Sequence, residues 1–324
     1  MKLSASLFAL YLVIASPLVA NEREQTLLEY GEQCAKEIGE IPPFNCNDGI
    51  NIPITINGKS PARGDSPRLC DRPSLLHPTS EVEGQCLPYS KILNLSRGNT
   101  QISAYCRRNK LRDDRDPVYD EVVIVQHHSG NGKTCWFLSQ SHPGADGIDA
   151  SRVPPPNEKS PPAGNIPAVE FWTTLARIAA VRPTCISCHD AGPFIFSPYI
   201  GQVWDKVPTD PWGKYSSIGP AFSSHRLNVI STPGNACIGC HRIGSEQSCE
   251  AYIGLSTGRL SAPGNDQLAN SYPLNHWMPT ANNMSHAQWD EANVKSVDAL
   301  LSCCRDKAHK DPNCTFTPIP PPKK

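Results

Sequence analysis

The chain has 324 residues, and its 30 Lys and Arg residues nearly balance 31 Asp and Glu residues, so its formal net charge is −1 at pH 7. Without a basic excess, nucleic acid and anionic membrane surfaces are not expected partners. Proline occurs 32 times and hydrophobic residues form only 39% of the chain, which predicts a loop-rich protein with a thin hydrophobic core.

Residues 1–20 have the pattern of a secretory signal peptide. Lys2 gives a positive start, residues 7–15 form an apolar run, and Ala20 precedes a polar segment. The run is too short to span a bilayer as a mature helix. We therefore expect export to the bacterial periplasm or beyond, without stable membrane insertion after cleavage; an uncleaved membrane anchor is the alternative.

Ten of the 14 cysteines fall into two groups of even size, which indicates disulfide bonds. Three bonds are expected in the N-terminal group, Cys34, Cys46, Cys70, Cys86, Cys106 and Cys135. Two are expected in the C-terminal group, Cys249, Cys303, Cys304 and Cys314. Because a bond between the adjacent Cys303 and Cys304 would strain the peptide, each is expected to pair with one of the other two. A catalytic or copper-binding role for these thiols is the alternative.

Residues 21–152 are expected to form a disulfide-rich domain that contains β-structure. Its clearest element is a hairpin, because residues 121–126 and 134–138 have strand character and residues 130–132 contain the glycines of a turn. This region resembles no family that would identify a ligand for it.

Two polar features of this domain have competing interpretations. His127 and His128 end the first hairpin strand, and we expect them to be solvated, with metal or haem ligation as the alternative. The acidic stretch from Asp113 to Asp120 is expected to be a solvated loop. Calcium binding is the alternative, although the glycine that an EF-hand loop requires is missing.

Residues 153–165 are rich in proline and are predicted to form an extended linker between two domains. A helix is expected after it, from Pro167 through Ala179, because apolar residues recur at helical spacing and proline suits a first turn. Pro183 is expected to end this helix just before the first of two cysteine motifs.

The sequence Cys-x-x-Cys-His occurs twice, at Cys185, Cys188 and His189 and again at Cys237, Cys240 and His241. A chain of this composition would contain roughly 0.02 copies by chance. Two thiols at this spacing can add to the two vinyl groups of one haem, and the adjoining histidine can then ligate its iron from one face. The motifs therefore predict two covalently bound haem c groups.

A zinc site and a redox-active disulfide are the alternative interpretations of these motifs. Zinc sites typically leave about 15–20 residues between their cysteine pairs, whereas 48 residues separate Cys188 from Cys237. A thioredoxin-type disulfide is expected beside a βαβ pattern, which the sequence does not have. Haem attachment is therefore favoured over both.

A closing helix is predicted from Ser285 to Cys304, because Ser285 and Gln288 form a capping-box pattern and apolar residues recur every three or four positions. The order along the chain is a helix, Cys-x-x-Cys-His, Met278-Pro279 and the closing helix. The small cytochrome c fold has the same order, so residues 166–304 resemble a dihaem c-type cytochrome. The chain departs from that family because the second motif falls inside what would be a single domain.

The expected fold class is α+β. A loop-rich, disulfide-stapled, β-containing N-terminal domain (21–152) is followed by the linker (153–165). A mainly α-helical dihaem cytochrome c-like domain (166–314) and a Pro-rich tail (315–324) complete the chain.

The resemblance also implies axial ligands for the two irons. His189 and His241 are expected to bind one face of each iron. Met278 is the expected sixth ligand of one haem. Its position 37 residues after His241 favours the second haem, whereas its place before the closing helix would also permit the first. His225 is expected to be the sixth ligand of the other haem. The alternatives are Met284, His276 and an open or water-bound position.

An exported dihaem cytochrome is expected to carry electrons between redox partner proteins. The alternative is a haem-dependent oxidoreductase similar to dihaem peroxidases, with one open iron site and an acid or base such as Glu246 or His225 beside it. Known dihaem peroxidases carry their motifs on separate domains, so the spacing here favours the carrier. In a third hypothesis, the N-terminal region is a binding or sensory module.

Overall fold

The computed structural model of the chain describes residues 25–56, 58–61, 86–141, 145–180, 185–195, 199–200, 202–203, 208, 210, 212–223, 227–240, 242–257, 278, 284–306 and 308–319. The predicted signal peptide lies outside these residues, as do three of the candidate ligands, His225, His241 and His276. Residues 320–324 of the predicted tail also lie outside them.

Strands dominate the first half of the chain and recur in the second. The described strands are β1 (Ile50–Asn51), β2 (Lys91–Asn94), β3 (Thr100–Arg107), β4 (Val118–Tyr119), β5 (Glu121–His128), β6 (Lys133–Gln140), β7 (Ile148–Asp149), β8 (Ser216–Ser217), β9 (Asn228–Ser231), β10 (Ile243–Gly244) and β11 (Thr315–Pro318). The main sheet has the order β1-β2-β3-β5-β6-β8, and its strands are antiparallel except for the parallel pair β6 and β8. A smaller antiparallel sheet has the order β10-β9-β11, and β4 pairs with β7.

Most of the described helices are short. They are α1 (Leu27–Glu37), α2 (Ala168–Phe171), α3 (Leu175–Ala180), α4 (Cys185–Cys188), α5 (Pro220–Ser223), α6 (Ile253–Ser256) and α7 (His286–Arg305). No helix in the part of the chain that the structure describes combines the length and the apolar character needed to cross a bilayer.

The predicted hairpin is confirmed as β5 and β6, which pair from Glu121 opposite Gln140 to His127 opposite Thr134. Gly132 adopts a φ of 80°, a conformation that glycine reaches without steric cost, and its N–H closes the turn on the carbonyl of His128 at 2.7 Å. The β-branched residues of β5 favour the strand, as the sequence indicated.

Helix α1 was not anticipated within the β-containing region. It begins at a capping box in which the Thr26 hydroxyl accepts from the Glu29 N–H and the Glu29 carboxylate accepts from the Thr26 N–H. Tyr30 and Cys34 are buried on its inner face, and Cys34 forms a disulfide with Cys135 of β6. The helix is therefore fixed covalently to the main sheet.

The disulfides follow the predicted grouping. Cys46 pairs with Cys106 in the N-terminal region, beside the Cys34–Cys135 bond, and Cys86 is also disulfide-bonded. In the C-terminal region the bonds are Cys249–Cys304 and Cys303–Cys314. The prediction that the two adjacent cysteines pair separately is thus confirmed.

The main hydrophobic core continues across the Pro-rich segment 153–165. Val153 is fully buried and pairs with Phe44, and the Trp172 indole donates to the carbonyl of Pro154 at 2.9 Å. Residues beyond the segment, including Phe171 and Ile186, are buried in the same core as β5 and β6. The first cysteine motif therefore packs against the N-terminal sheet.

The helix predicted from Pro167 through Ala179 is interrupted in the structure. Trp172 is extended, with φ −90° and ψ 141°, and the Thr173 N–H donates to the carbonyl of Leu138 at 2.8 Å. Helix α3 then restarts at Leu175. Contact with β6 has overridden the helical periodicity, because a hydrogen bond to the sheet and burial of Trp172 are both gained at the break.

The expectation of a mainly α-helical domain after residue 166 is wrong. Apart from α7, which has 20 residues, the described α-helices there have four to six residues, and β9, β10 and β11 form a sheet. Residues Thr315–Pro318, assigned to the tail, form β11 by pairing with β9. The β-branched and aromatic residues of these segments favour strands, and the family resemblance rested on motif order alone.

The predicted closing helix is confirmed as α7. Ser285 caps it, and the reciprocal contacts with Gln288 form the expected capping box. Trp289, Val297 and Leu300 are buried in a second core together with Ile230 of β9 and Ile243 of β10. This second core supports the second cysteine motif.

Candidate functional site

The first motif lies on α4, a single helical turn. Cys185 and Cys188 occupy positions i and i+3, which lie on one face of a helix, and the N–H of His189 donates to the carbonyl of Cys185 at 2.9 Å. Ile186, between them, is buried in the main core. The two sulfur atoms are thus held by a backbone anchored to the sheet.

The four motif cysteines, Cys185, Cys188, Cys237 and Cys240, are thiols, whereas every other described cysteine is disulfide-bonded. Burial raises the pKa of the Cys185 thiol to about 12. A nucleophilic redox cysteine needs a lowered pKa, so this environment is unlike that of a thioredoxin-type dithiol. Thiols that remain outside the disulfide framework suit covalent attachment to a cofactor.

The imidazole of His189 is held in one tautomer. Its Nδ1 lies 2.8 Å from the carbonyl oxygen of Pro193, which can only accept, so Nδ1 carries the proton and Nε2 keeps a lone pair. Burial lowers the pKa of His189 to about 4, so the ring is neutral at pH 7. Metal-bound histidines are usually oriented by this type of contact.

Trp136 of β6 and Tyr215, which directly precedes β8, complete the surroundings of His189. The Trp136 ring of β6 lies 4.5 Å from the imidazole, centroid to centroid. The Tyr215 hydroxyl donates to the backbone carbonyl of His189 at 2.7 Å. Since Trp136 and Tyr215 are almost fully buried, they fix both the ring and the backbone of the histidine.

The second motif begins on a 3₁₀ turn, Cys237–Gly239, that is tied to α7. The Cys237 N–H donates to the side chain of Asn235 at 2.9 Å, and the Asn235 amide donates to the carbonyl of Ser296 at 2.8 Å. Cys237 packs against the second core and Cys240 is exposed. His241, the third member of this motif, lies outside the described residues.

A buried carboxylate joins the segments that follow the two motifs. Asp190, next to His189, is fully buried and accepts from the Glu246 N–H at 2.6 Å. Ser248 also hydrogen bonds to it. Burial raises the pKa of Asp190 to about 6, although these hydrogen bonds oppose the shift. The Asp190 side chain thus connects the first motif to the segment after the second.

The loop before β8 makes a second connection between the motifs. Arg242, which follows His241, donates to the carbonyl of Gly213 at 2.7 Å, two residues before Tyr215. Tyr215 in turn contacts the backbone of His189. Asp190 and Arg242, which follow the two motif histidines, both act electrostatically on Tyr215.

Met278, the predicted sixth ligand of one haem, lies beside the second core. Its N–H donates to the carbonyl of Ser256 at 2.6 Å, and its carbonyl accepts from the Trp289 indole at 2.8 Å. Trp289 belongs to the core against which Cys237 packs. Met284, the alternative, is 43% exposed.

His127 and His128 differ from the expected solvated pair. His127 is only 1% exposed, and its Nδ1 lies 2.8 Å from the Thr134 hydroxyl oxygen. Its neighbour is less buried and accepts hydrogen bonds at Nδ1 from the N–H groups of Gly130 and Asn131. Strand β5 continues through both residues, so their side chains point to opposite faces of the sheet. His127 faces the core, and His128 contacts the turn that follows the strand.

The acidic stretch surrounds a buried guanidinium. Arg108 is fully buried and donates to the backbone carbonyls of Asp113 and Asp116, each at 2.5 Å. Asp120, also buried, forms an ion pair with Arg112 at 2.7 Å. Arginines therefore contact both the backbone and a carboxylate of this acidic stretch, and Asp120 is buried and not solvated as the loop interpretation expected.

The motif residues fit a haem better than a bare metal ion. No group of three or more His, Cys, Asp or Glu side chains that could hold a metal ion occurs within the described ranges. The first motif fits haem attachment, because both thiols and the Nε2 lone pair of His189 are retained. For the second motif the two thiols fit, and His241 is outside the described residues.

Comparison with known proteins gave no match to a family model, a curated protein or a solved structure. The function must therefore be inferred from the residues of this chain.

Sequence reasoning missed the residues that orient the first motif. Trp136 and Tyr215 come from strands or loops distant in the sequence, and Asp190 had no local motif to mark it. Only the position of Asp190 directly after a motif histidine could have drawn attention to it.

Proposed function

We propose that the protein is an exported dihaem c-type cytochrome that carries electrons between redox partner proteins in the periplasm or outside the cell. The observation that carries the proposal is the pair of Cys-x-x-Cys-His motifs whose four cysteines are thiols in a chain where all other described cysteines form disulfides. Disulfides persist in oxidising compartments, which agrees with export.

The chain would hold one haem at each motif. Cys185 and Cys188 would attach the first haem and His189 would bind its iron through Nε2, the atom left available by the hydrogen bond to Pro193. Cys237, Cys240 and His241 would have the same roles for the second. Haem iron supplies one-electron chemistry when bound.

The sixth ligand of one haem is supported by a contact in the structure, and that of the other haem by the sequence alone. Met278 is proposed for the second haem, because its backbone is hydrogen-bonded to Trp289 in the core that also contains Cys237. For the first haem the sequence favours His225. Histidine–methionine ligation raises the reduction potential of a haem, so the two haems would differ in potential.

The contacts between the two motif segments support the function of an electron carrier. Asp190 links the first motif to Glu246, and Arg242 links the second to the loop before Tyr215. Haems held by such connected segments could exchange electrons within one chain. Glu246, the candidate acid for the oxidoreductase alternative, has an exposed side chain, as expected for a solvated group.

Variants of each motif test the assignment. After expression in a host that matures c-type cytochromes, Cys185→Ala/Cys188→Ala and Cys237→Ala/Cys240→Ala should each lose one haem in a pyridine haemochrome assay. The matched control, Cys303→Ala/Cys314→Ala, removes a disulfide outside the motifs and should keep both. If either motif variant retained two haems, the attachment sites would be wrong.

Ligand binding separates the two functional hypotheses. A carrier with both irons six-coordinate should bind carbon monoxide and cyanide slowly and should not turn over peroxide. Rapid binding of either ligand together with peroxide turnover would instead identify a haem-dependent oxidoreductase.

A further inference from the structure

The second motif lies in an exposed loop, whereas the first does not. In the second-motif loop, defined as residues 232–240, the exposed residues are Pro233, Gly234, Ala236, Gly239 and Cys240. No atom lies within 4 Å of a Cβ added at Gly234 or Gly239, so the space in front of the loop is open. Residues 185–195, which contain the first motif, are all described, and none of them is exposed. The second motif is therefore the one that a partner protein can approach directly.

The second-motif loop has no charge. Residues 227–240 contain no Asp, Glu, Lys, Arg or His, and the side chain of Arg242 is only 8% exposed. The loop is hydrogen-bonded to Ser296 of α7. The residues three and four positions from Ser296, which share its helix face, are also uncharged: Ala292, Asn293, Ala299 and Leu300. The nearest charged residues along α7, Lys295 and Asp298, have opposite signs. A protein that meets this loop therefore contacts small, uncharged side chains.

A buried asparagine holds the loop in one shape. The Asn235 side chain is 9% exposed and accepts from the N–H of Cys237 at 2.9 Å. Its amide donates to the Thr232 hydroxyl and to the Ser296 carbonyl, each at 2.8 Å. The Ser296 hydroxyl accepts from the N–H of Ala236 at 3.1 Å. Because a loop fixed in this way loses little conformational entropy on binding, a small contact area suffices for a short-lived complex.

We propose that the second-motif loop is the docking surface for the redox partner, and that this partner is a protein with an uncharged surface around its own redox centre. The inference rests on the proposed dihaem function. A charged partner surface would lose hydration against this loop without gaining an ion pair. In each encounter one electron passes between the second haem and the partner's redox centre, so that one is oxidised and the other reduced, and no bond forms or breaks.

A second copy of the chain is the probe, because it presents the same uncharged loop. Electron self-exchange between ferric and ferrous copies of the haem-loaded protein is measured from the broadening of haem methyl signals in nuclear magnetic resonance spectra. Association without charges at the contact has no electrostatic steering. The wild-type rate constant should therefore change by less than about twofold between about 10 mM and 0.5 M salt.

Charges placed at Ala236 should make self-exchange sensitive to salt. Ala236 is exposed, lies outside the motif and has a helical backbone conformation that other residues can adopt. Ala236→Lys and Ala236→Glu should each slow self-exchange about threefold at low salt, because like charges then meet at the contact. An equimolar mixture of the two variants should exchange faster than either variant alone, since opposite charges then meet. Both effects should disappear at high salt.

Gly192→Lys and Val169→Lys are the matched controls. Gly192 follows the first motif and has open space at its added Cβ, and Val169 is an exposed apolar residue of α2. Both variants should retain two haems and the wild-type rate. Slower exchange in either control, or wild-type rates in both Ala236 variants, would overturn the docking assignment.

The salt dependence of the wild type tests the partner surface without any variant, so the test holds even if a variant does not fold. A rate constant that changed tenfold or more over the same salt range would refute an uncharged contact. A wild-type protein without haem would overturn the proposed function itself, so the two failures are distinguishable.

Discussion

Replacing Gly244 with alanine tests whether Asp190 holds the two motif segments together. An added Cβ at Gly244 would lie 2.3 Å from both Cγ and Oδ1 of Asp190. The carboxylate cannot move aside easily, because it is fully buried and accepts from the Glu246 N–H at 2.6 Å. Gly244 thus lies directly against the Asp190 side chain.

The expected loss of stability follows from two effects. Overpacking a buried contact costs about 1–3 kcal/mol, and weakening a hydrogen bond to a charged group costs about 1.5–3 kcal/mol. Moving the two segments apart would relieve the overpacking but weaken the hydrogen bond to Asp190. We therefore expect Gly244→Ala to lower the free energy of unfolding by about 2–4 kcal/mol.

Denaturant unfolding of the haem-loaded protein at pH 7, followed by far-ultraviolet circular dichroism, measures this loss. The midpoint should fall while the slope is unchanged. Gly192→Ala is the matched control near the first motif, because no atom lies within 4 Å of its added Cβ. It should change stability by less than about 0.5 kcal/mol. Equal midpoints for the two variants would refute the role assigned to the Asp190–Gly244 contact.

Two further predictions concern Met278 and the buried ion pair. Trp289→Phe removes the donor to the Met278 carbonyl and should reduce the methionine-ligated haem signal in near-infrared magnetic circular dichroism. An unchanged signal would show that iron ligation by Met278 does not depend on this hydrogen bond. Arg112→Met removes the ion-pair partner of the buried Asp120 and leaves it only the N–H groups of Asn109 and Lys110. This should cost about 3–5 kcal/mol of unfolding free energy at pH 7, whereas Lys110→Met, at an exposed pair, should cost under about 0.5 kcal/mol. Burial raises the pKa of Asp120, but hydrogen bonds led by that from Arg112 outweigh it and lower the pKa overall. The Arg112→Met effect should therefore be full above about pH 4 and shrink as pH falls through the lowered pKa; a pH-independent difference in urea unfolding would contradict this.

Elements with strong local signals were predicted from the sequence. The capping box of Ser285 and Gln288 located α7, and the β-branched run of β5 with its glycine turn located the hairpin. The pairing of Cys303 and Cys304 with different partners followed from a steric argument about adjacent cysteines. In each case the determining interaction lies within a few residues or depends on covalent geometry.

Elements that depend on distant partners were not predicted. Strand β9 has four residues, and its partner β11 is more than 80 residues further along the chain. The break between α2 and α3 depends on the hydrogen bond from Thr173 to Leu138 of β6. Local periodicity contains no information about such contacts, so the second half was wrongly expected to be mainly helical.

The candidate site shows the same division. The cysteines and histidines of the motifs were identified from spacing alone, since haem attachment requires them in sequence. Burial of His127 depends on β6 and Phe194, and the link through Asp190 depends on the segment around Gly244. Those contacts form only when the sheet and the loop around the first motif have folded together.

Covalent haem content is the most direct test of the central claim. The protein should be produced with its N-terminal segment in a bacterium that matures c-type cytochromes, then analysed by intact mass spectrometry and a pyridine haemochrome assay. The account predicts a mass increase of two haem groups and a red protein with two haems per chain. A colourless protein with the mass of its amino acids alone, produced in a host that matures a control cytochrome, would contradict it.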